Sequence, residues 1–184
     1  MGRVVLLWGA PAAGKTSVAR AVVASCARAD VTVLHLSSDA VRAALHAGPY
    51  LRALQGVVYD GLQAMLESAM AAGLTVLLDA NYLDAGRRGR VRAAVASRGG
   101  SLLSVQVACS VGSRRARNDA RPLTQQVPAD YIEDAHGRAE AQQGDADVVV
   151  DTDTCTADEA ARRITRWFLE GQVSLPGDSS RAAI

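Results

Sequence analysis

Residues 3 to 16 read RVVLLWGAPAAGKT, and this stretch decides how the chain folds. Arg3 to Trp8 form a short apolar run rich in β-branched residues, which predicts a buried strand. Gly9 ends that strand, and the spacing from Gly9 to Thr16 fits the Walker A pattern GxxxxGK[ST]. Apolar residues at helical spacing continue from Thr16 to Arg28. The sequence therefore predicts a strand, a glycine-bounded loop and a helix, the context in which this pattern binds phosphate.

The loop predicts a site for the phosphates of ATP. Its glycines let the backbone curl so that successive N–H groups point at the β- and γ-phosphates, and the helix adds the positive end of its dipole. We expect Lys15 to bridge the phosphates and the Thr16 hydroxyl to ligate Mg²⁺. The alternative is a Gly/Ala-rich turn that binds nothing. The residues expected to bind the nucleotide are Gly9, Ala10, Pro11, Ala12, Ala13, Gly14, Lys15, Thr16 and Ser17.

The rest of the chain alternates short apolar runs with helical patterns, which predicts an α/β fold: a five-stranded parallel sheet with helices on both faces. One domain is expected at residues 1–170, followed by a polar tail at 171–184. A polar, Arg-rich stretch at 110–126, where a mobile arm could bring guanidinium groups over the phosphates, leads into the helix predicted at 128–143. The further strands are predicted at 31–36, 74–78, 102–109 and 147–150, and the further helices at 40–47, 50–72, 84–98, 128–143 and 156–169.

Two carboxylates stand where predicted strands end. Asp79 closes the third strand, where a P-loop protein places a carboxylate beside its metal, and we expect it to hold Mg²⁺ through water. Asp79 could instead cap the next segment or hold Asn81. Asp39 follows the second strand and is expected to take the proton of an incoming hydroxyl, with Arg42 binding an anionic group of the acceptor. The alternative is that Asp39 only caps a helix.

Arginine dominates the basic residues, because Lys15 is the only lysine among 20 of them. A lysine in such a background suggests a site that needs a compact ammonium. Eight arginines and no carboxylate lie between Ala85 and Asn118. This charge favours phosphate-bearing ligands, although solvated helix faces explain it equally well. One or two of the four arginines after the fourth strand are expected to reach the transferring phosphates; they are Arg114, Arg115, Arg117 and Arg121.

Composition indicates a soluble, cytoplasmic protein. No apolar run approaches the roughly 20 residues that cross a bilayer, and the N-terminus lacks the order of a signal peptide. Cys26, Cys109 and Cys155 are isolated, so neither a disulfide framework nor a zinc site is indicated. No pattern decides the oligomeric state.

Four segments resemble the small P-loop kinases around polynucleotide 5′-hydroxyl kinase: GAPAAGKT at 9–16, SSDAVR at 37–42, LLDANY at 77–82 and RNDARPLTQQVPADYI at 117–132. The resemblance covers nearly the whole predicted domain. It implies the three-layer P-loop NTPase fold of the adenylate-kinase type, with an Arg-rich lid at about 112–127. The group also includes antibiotic phosphotransferases, zeta-type toxins, the seryl-tRNA kinase and DNA-base hydroxyl kinases.

The resemblance also implies residue roles. In polynucleotide kinase the aspartate and arginine after the second strand act as general base and acceptor-phosphate ligand, and these roles fall on Asp39 and Arg42. A lid arginine shortly before a Val-Pro pair contacts the phosphates there. Arg121 is the nearest match, and because the register differs by about one residue, Arg117 is a second candidate.

Together these residues predict transfer of the γ-phosphoryl group of ATP to a hydroxyl acceptor, with Mg²⁺. Nucleic acid is the expected acceptor, through a 5′-hydroxyl or a hydroxymethylated base in DNA, because of the basic stretch and Arg42. Only seven aromatic residues are available to stack on bases. The alternatives are a small metabolite or antibiotic, an activated sugar, and a nucleotide-binding regulatory module that needs the P-loop but not Asp39.

Overall fold

The computed structural model describes residues 2–48, 51–123 and 126–171. The helix predicted at 50–72 begins outside these ranges, as do residues 124–125 of the predicted lid and nearly all of the predicted tail. The strands are β1 (Arg3–Trp8), β2 (Leu34–Ser37), β3 (Val76–Asp79), β4 (Ser101–Ala108) and β5 (Val148–Asp151). The α-helices are α1 (Lys15–Arg28), α2 (Ser38–Leu45), α3 (Leu54–Ala71), α4 (Ala85–Ala96), α5 (Val111–Asp119), α6 (Ala129–Glu140) and α7 (Ala157–Glu170), with a 3₁₀ turn at Gln143–Asp145.

The five strands form one parallel sheet in the order β2-β3-β1-β4-β5. In the central strand β1, Val4 lies opposite Val76 of β3 and Leu102 of β4. All carboxyl ends of the strands therefore meet at one edge, where ligands of open α/β sheets bind. The predicted parallel sheet is confirmed.

Helices cover both faces of the sheet, because alternate side chains of each strand point to opposite sides. From β1, Val5 and Leu7 enter a core with buried residues of α1 and α7. Val4, Leu6 and Trp8 enter a second core with residues of α3 and α4. These five side chains are fully buried, as expected of a central parallel strand.

Strand β2 is shorter than predicted and begins three residues later. It lies at the edge and pairs only with β3, whose first residue Val76 faces Leu34. Val31, where the sequence predicts the strand to begin, instead donates its N–H to Cys26 O near the end of α1. The available partner, rather than the apolar pattern of residues 31–36, decides where the strand begins.

Helix α5 lies within the polar, Arg-rich stretch at 110–126, to which the sequence pattern assigns no helix. The Ser110 side chain caps it by accepting from Ser113 N. Its buried residues are Arg114 and Asn118, four positions apart on one helical face. The Asn118 amide pairs with both backbone groups of Val127 at 3.0 Å, which closes the connection to α6. A helix whose buried face is polar has no apolar period, so the sequence pattern does not indicate this helix.

The cysteines are free, and Cys26 and Cys109 are buried. Within the described ranges, no helix combines the length and the apolar character that a membrane span requires.

Candidate active site

The loop between β1 and α1 has a conformation that only small residues at particular positions allow. Gly9 has φ 143°, and a Cβ there would lie 2.2 Å from Val107 O of β4. Its N–H donates to Asn81 O at 3.0 Å, which joins the loop to the segment after β3. Gly14, the residue before α1, has φ 95°, and Ala12 has φ 60°. Glycine adopts such values without strain, whereas at Ala12 the left-handed backbone is unfavourable and must be held by the surrounding structure.

Lys15 lies inside this loop. Its Nζ donates to Ala10 O at 2.8 Å, and the residue is only 8% exposed. Burial lowers the pKa of Lys15 to about 8, and the charges of Asp79 and Asp39 oppose that change. A buried ammonium without a full countercharge favours an anionic ligand, because an anion would compensate the lost hydration.

Asp79 stands at the carboxyl end of β3, beside Lys15. It is 3% exposed, and its Oδ2 is buried and makes no hydrogen bond within the described residues. His35 of β2 lies beside that oxygen: its Nε2 is 3.6 Å from Oδ2 and also lacks a hydrogen-bond partner among the described residues. An unpartnered buried carboxylate oxygen beside the loop fits a hydrated Mg²⁺ ion, which prefers oxygen ligands and retains waters. No sequence pattern links His35 to Asp79.

Thr16 and Ser17 occupy the first turn of α1 behind Lys15. Thr16 is half-buried and Ser17 is exposed. Thr16 has the hydroxyl oxygen that a Mg²⁺ ion takes in this position of a P-loop. Thr16 and Asp79 are therefore the described residues that fit the predicted cation.

Helix α2 carries the predicted acceptor residues. Asp39 lies in its first turn and is exposed, while Ser37 occupies the N-cap position. The negative charge of Asp39 acts to raise the pKa of Lys15, so the two groups are within electrostatic range. Arg42 lies three residues on, and its Nη1 donates to Leu51 O at 3.4 Å. The carboxylate of Asp39 is thus open to solvent near the phosphate loop.

Arg117 of α5 is held against the loop that follows β5. Its guanidinium donates to Thr152 Oγ1 at 2.7 Å and to Thr152 O at 3.1 Å, and Asp153 Oδ1 lies 3.6 Å from Nη2. Thr152 Oγ1 also donates to Ala13 O at 2.9 Å in the phosphate loop. Thr152 is a site residue that sequence reasoning missed. Its position directly after a parallel strand was the available signal.

Arg114 and Arg121 lie within electrostatic range of Lys15, since the positive charges of both act to lower its pKa. Arg114 is 2% exposed and donates through Nη2 to Cys109 O at 3.1 Å, with His136 Nδ1 also in contact. Its Nε and Nη1 are buried and find no hydrogen-bond partner within the described residues. Two unpartnered guanidinium donors near the phosphate loop make Arg114 a stronger candidate than its place among four arginines suggested.

The segment after β3 buries its aromatic residues. Tyr82 has φ 42° and is 3% exposed, and its ring meets Tyr59 edge to face with 5.1 Å between centroids. Burial, with Tyr59 as a lesser cause, raises the pKa of Tyr82. The Arg87 guanidinium lies 4.1 Å from the Tyr59 ring centroid. These rings pack within the protein and are not presented for stacking on a base.

Half of the arginines in the basic stretch between residues 85 and 118 pair with carboxylates of this same chain. Arg88 is fully buried and packs 4.3 Å from the Trp8 ring centroid. Arg92 donates to Asp145 O. Four of the eight arginines pair with carboxylates: Arg88 with Asp145, Arg90 with Asp60, Arg115 with Glu133 and Arg117 with Asp153. The stretch is therefore not an open row of positive charge.

Comparison with known proteins places this arrangement among P-loop folds. The chain superimposes on the Mycobacterium tuberculosis APS kinase in complex with AMPPNP and APS with a TM-score of 0.68 and 19% identity, over 91% of this chain and 98% of that one. The Chaetomium thermophilum protein Kti12 in complex with ADP-AlF3 gives 0.68 and 16%, over 90% and 97%. A gluconokinase from Sinorhizobium meliloti gives 0.60 and 17%, over 92% and 97%. At these identities the likeness shows the fold, and the predicted P-loop NTPase fold is confirmed.

No curated protein sequence matches the chain. The model of the AAA_33 family, described as an AAA domain, matches residues 4–144, a span that contains the phosphate loop, Asp39, Asp79 and helix α5. Because this match covers well over half of its length, the chain belongs to the AAA_33 family.

Proposed function

We propose that this chain is an ATP-dependent phosphotransferase that moves a γ-phosphoryl group to the hydroxyl of a small molecule. One observation carries the proposal: groups of both signs act on the pKa of the buried Lys15 ammonium. The carboxylates of Asp79 and Asp39 raise that pKa, and the guanidinium groups of Arg121 and Arg114 lower it, so all four lie near the lysine. A phosphate loop alone binds a nucleotide. The added exposed carboxylate and arginines are what transfer to an acceptor requires.

The nucleotide would be held by the phosphate loop, with Lys15 on the β- and γ-phosphates. Thr16 and Asp79 would hold Mg²⁺, which when bound neutralises charge on the phosphates. Arg117 and Thr152 lie together beside Gly14, where they would border the nucleotide outside its phosphates. The orphaned Oδ2 of Asp79 and the buried Nζ of Lys15 support this division of roles.

Asp39 would act as the base. As the acceptor oxygen bonds to the γ-phosphorus, the bond from that phosphorus to the β–γ bridging oxygen breaks and ADP leaves with its electron pair. The hydroxyl proton passes to the Asp39 carboxylate, which is exposed and accessible. Arg114 and Arg121 would stabilise the charge on the transferring group, and Arg42 would bind an anionic part of the acceptor.

Three observations favour a small acceptor over nucleic acid. Half of the arginines of the basic stretch pair with carboxylates of this same chain. Tyr59 and Tyr82 are buried. Two structural neighbours, an APS kinase and a gluconokinase, are named for small acceptors. Membership of the polynucleotide kinase group, and a single domain at 1–170 with a lid at 112–127, stay predictions.

The test is transfer of label from γ-labelled ATP with Mg²⁺ to separate acceptor pools. One pool holds small hydroxyl compounds, among them sugars, nucleosides, adenosine phosphosulfate and aminoglycoside and phenicol antibiotics. Others hold 5′-hydroxyl DNA and RNA, hydroxymethylated duplex DNA and tRNA. We expect label on the small-molecule pool with the wild type and none with Lys15→Ala.

Label on a nucleic acid alone would overturn the small-acceptor proposal and restore the expectation from sequence. Binding of MgATP without label on any pool, or with label released only as phosphate, would favour the regulatory module. Asp39→Asn separates these outcomes further, because a regulatory module would keep its nucleotide turnover in that variant.

A further inference from the structure

A groove of about 390 Å³ lies on helix α7. Its lining comes from the end of the β5–α7 loop and from one face of the helix, at positions 159, 162, 163 and 166, which have the spacing of neighbours on a helix surface. The lining residues are Thr154, Cys155, Glu159, Arg162, Arg163 and Arg166. None of them belongs to the candidate active site.

Three arginines line this groove together with a single carboxylate, that of Glu159. Within the described residues, Arg162, Arg163 and Arg166 form no ion pair within 4.0 Å. The Nε of Arg163 is buried and has no hydrogen-bond partner among those residues. A buried N–H without a partner costs free energy unless a ligand or water accepts from it.

The one carboxylate in the groove is occupied by its own helix. The Glu159 Oε2 accepts from Thr156 N at 2.8 Å and from Thr156 Oγ1 at 2.7 Å, in a capping box at the start of α7. These hydrogen bonds, with a smaller contribution from Arg162, lower the pKa of Glu159. The groove contains three guanidinium groups and only the carboxylate of Glu159, so it has a net positive charge.

Single unpaired arginines occur elsewhere in the described residues, for example Arg20, Arg28 and Arg98, whereas three of them share this groove. Arg88, Arg90, Arg115, Arg117 and Arg138 each have a carboxylate within 4.0 Å. Helix α7 has Asp158 and Glu159 in its first turn, yet neither lies within that distance of the three arginines. The groove is therefore a local concentration of uncompensated charge in a cavity of small-ligand size.

We propose that this groove is a second anion site, which binds a phosphate group of a small ligand through Arg163 and Arg166, with Arg162 at its rim. Guanidinium groups bind phosphate oxygens in a bidentate manner, and none of these three has a carboxylate within 4.0 Å among the described residues. The site does not depend on phosphotransfer by the chain, because it shares no residue with the phosphate loop.

Cys155 provides a direct reporter of occupancy. It lines the groove and is half-exposed, whereas Cys26 and Cys109 are 1% and 5% exposed. A neutral reagent such as iodoacetamide should therefore alkylate Cys155 first, and mass spectrometry gives its rate. We expect pyrophosphate, inorganic phosphate or ribose 5-phosphate to slow that rate at least threefold at saturation. Comparing how strongly each of the three probes slows the alkylation of Cys155 distinguishes binding of a free anion from binding of a phosphate on an organic ligand.

Three variants decide where the protecting anion binds. Protection should disappear in Arg163→Ala/Arg166→Ala and in the milder, exposed Arg166→Ala. It should persist in Lys15→Ala, in which the phosphate loop is impaired, and in Arg98→Ala, an exposed arginine outside the groove. Loss in Lys15→Ala with retention in Arg166→Ala would place the anion at the phosphate loop and overturn the proposal. Equal slowing by sodium chloride at matched ionic strength, or no slowing at all, would also overturn it.

Discussion

The two halves of the candidate site differ in how firmly the fold holds them. On the nucleotide side, Lys15 is 8% exposed and Asp79 is 3% exposed, and the phosphate loop is bonded to the segments after β3 and β5. On the acceptor side, helix α2 has no buried residue and Asp39 is exposed. Triphosphate is the same ligand in every P-loop protein, so its cradle can be buried and preformed. The acceptor side is where proteins of this fold can differ.

Removing the Lys15 ammonium from the nucleotide side should have the largest effect on phosphotransfer. Lys15→Ala is expected to lower kcat/KM for phosphotransfer by roughly 10³-fold or more, since a lost charge contact to a transferring phosphate costs several kcal/mol. Lys15→Arg should recover little, because a planar guanidinium does not replace a compact buried ammonium.

Arg20→Ala, at an exposed position of α1, is the matched control and should retain full activity. Substantial transfer by Lys15→Ala would contradict the role of the phosphate loop.

The burial of Lys15 can also be measured as stability. Its pKa of about 8 in the folded protein lies below the ordinary 10.5, so the unfolded chain binds the extra proton between these values. The contribution of Lys15 to the free energy of unfolding therefore rises with pH between about 8 and 10.5, and it is constant below pH 8. At about 1.4 kcal/mol per pKa unit, the ligand-free wild type should gain about 3 kcal/mol across that window relative to Lys15→Met.

Urea unfolding of both proteins at pH 7 and at pH 10.5 measures this gain. Ser17→Ala, at the exposed neighbouring position, serves as the pH-independent control. A difference between wild type and Lys15→Met that does not change with pH would show that the lysine is not strongly desolvated.

Substitutions on the acceptor side should weaken acceptor binding rather than nucleotide binding. Arg42→Ala is expected to raise the acceptor KM about tenfold and to leave the KM for ATP within about twofold, because one charge-assisted contact is lost. Steady-state kinetics with the acceptor identified by the panel measures both constants. Arg52→Ala, exposed and outside the site, is the control, and an unchanged acceptor KM would remove Arg42 from the acceptor site.

The smallest expected effect concerns His35, which adjoins Asp79 from the neighbouring strand. If the imidazole orients the carboxylate, His35→Ala should reduce by about threefold the factor by which Mg²⁺ strengthens ADP binding, and His35→Gln should reduce it less. Calorimetric titration of ADP with and without Mg²⁺ gives that factor directly. His46→Ala, exposed after α2, is the control, and an unaltered factor in His35→Ala would exclude the role.

Residues with local signals could be predicted, and residues placed by the sheet could not. The strand-loop-helix unit of residues 3–28 carries its own spacing, so the loop and the place of Lys15 were readable from sequence. The pairing of His35 with Asp79 depends on the strand order β2-β3-β1, which no local pattern contains. Thr152 reaches the phosphate loop for the same reason, because β5 follows β1 by 140 residues.

Charge was the least reliable guide. Eight arginines in one stretch suggested an open basic surface, but Arg88 is fully buried and Arg115 pairs with Glu133 of α6. Helix α5 escaped prediction because its buried face consists of Arg114 and Asn118. A sequence count of charges says nothing about partners that only the tertiary fold supplies.

The central claim is that the buried nucleotide side binds ATP while Asp39, on the exposed acceptor side, acts as the base. The Asp39→Asn variant tests this claim most directly. MgATP binding and single-turnover transfer would be measured side by side on the wild type and this variant. We predict an ATP dissociation constant within about threefold of the wild type and a transfer rate at least 10²-fold lower, since the base is lost while the phosphate loop is intact. Transfer at the wild-type rate by Asp39→Asn would contradict the account.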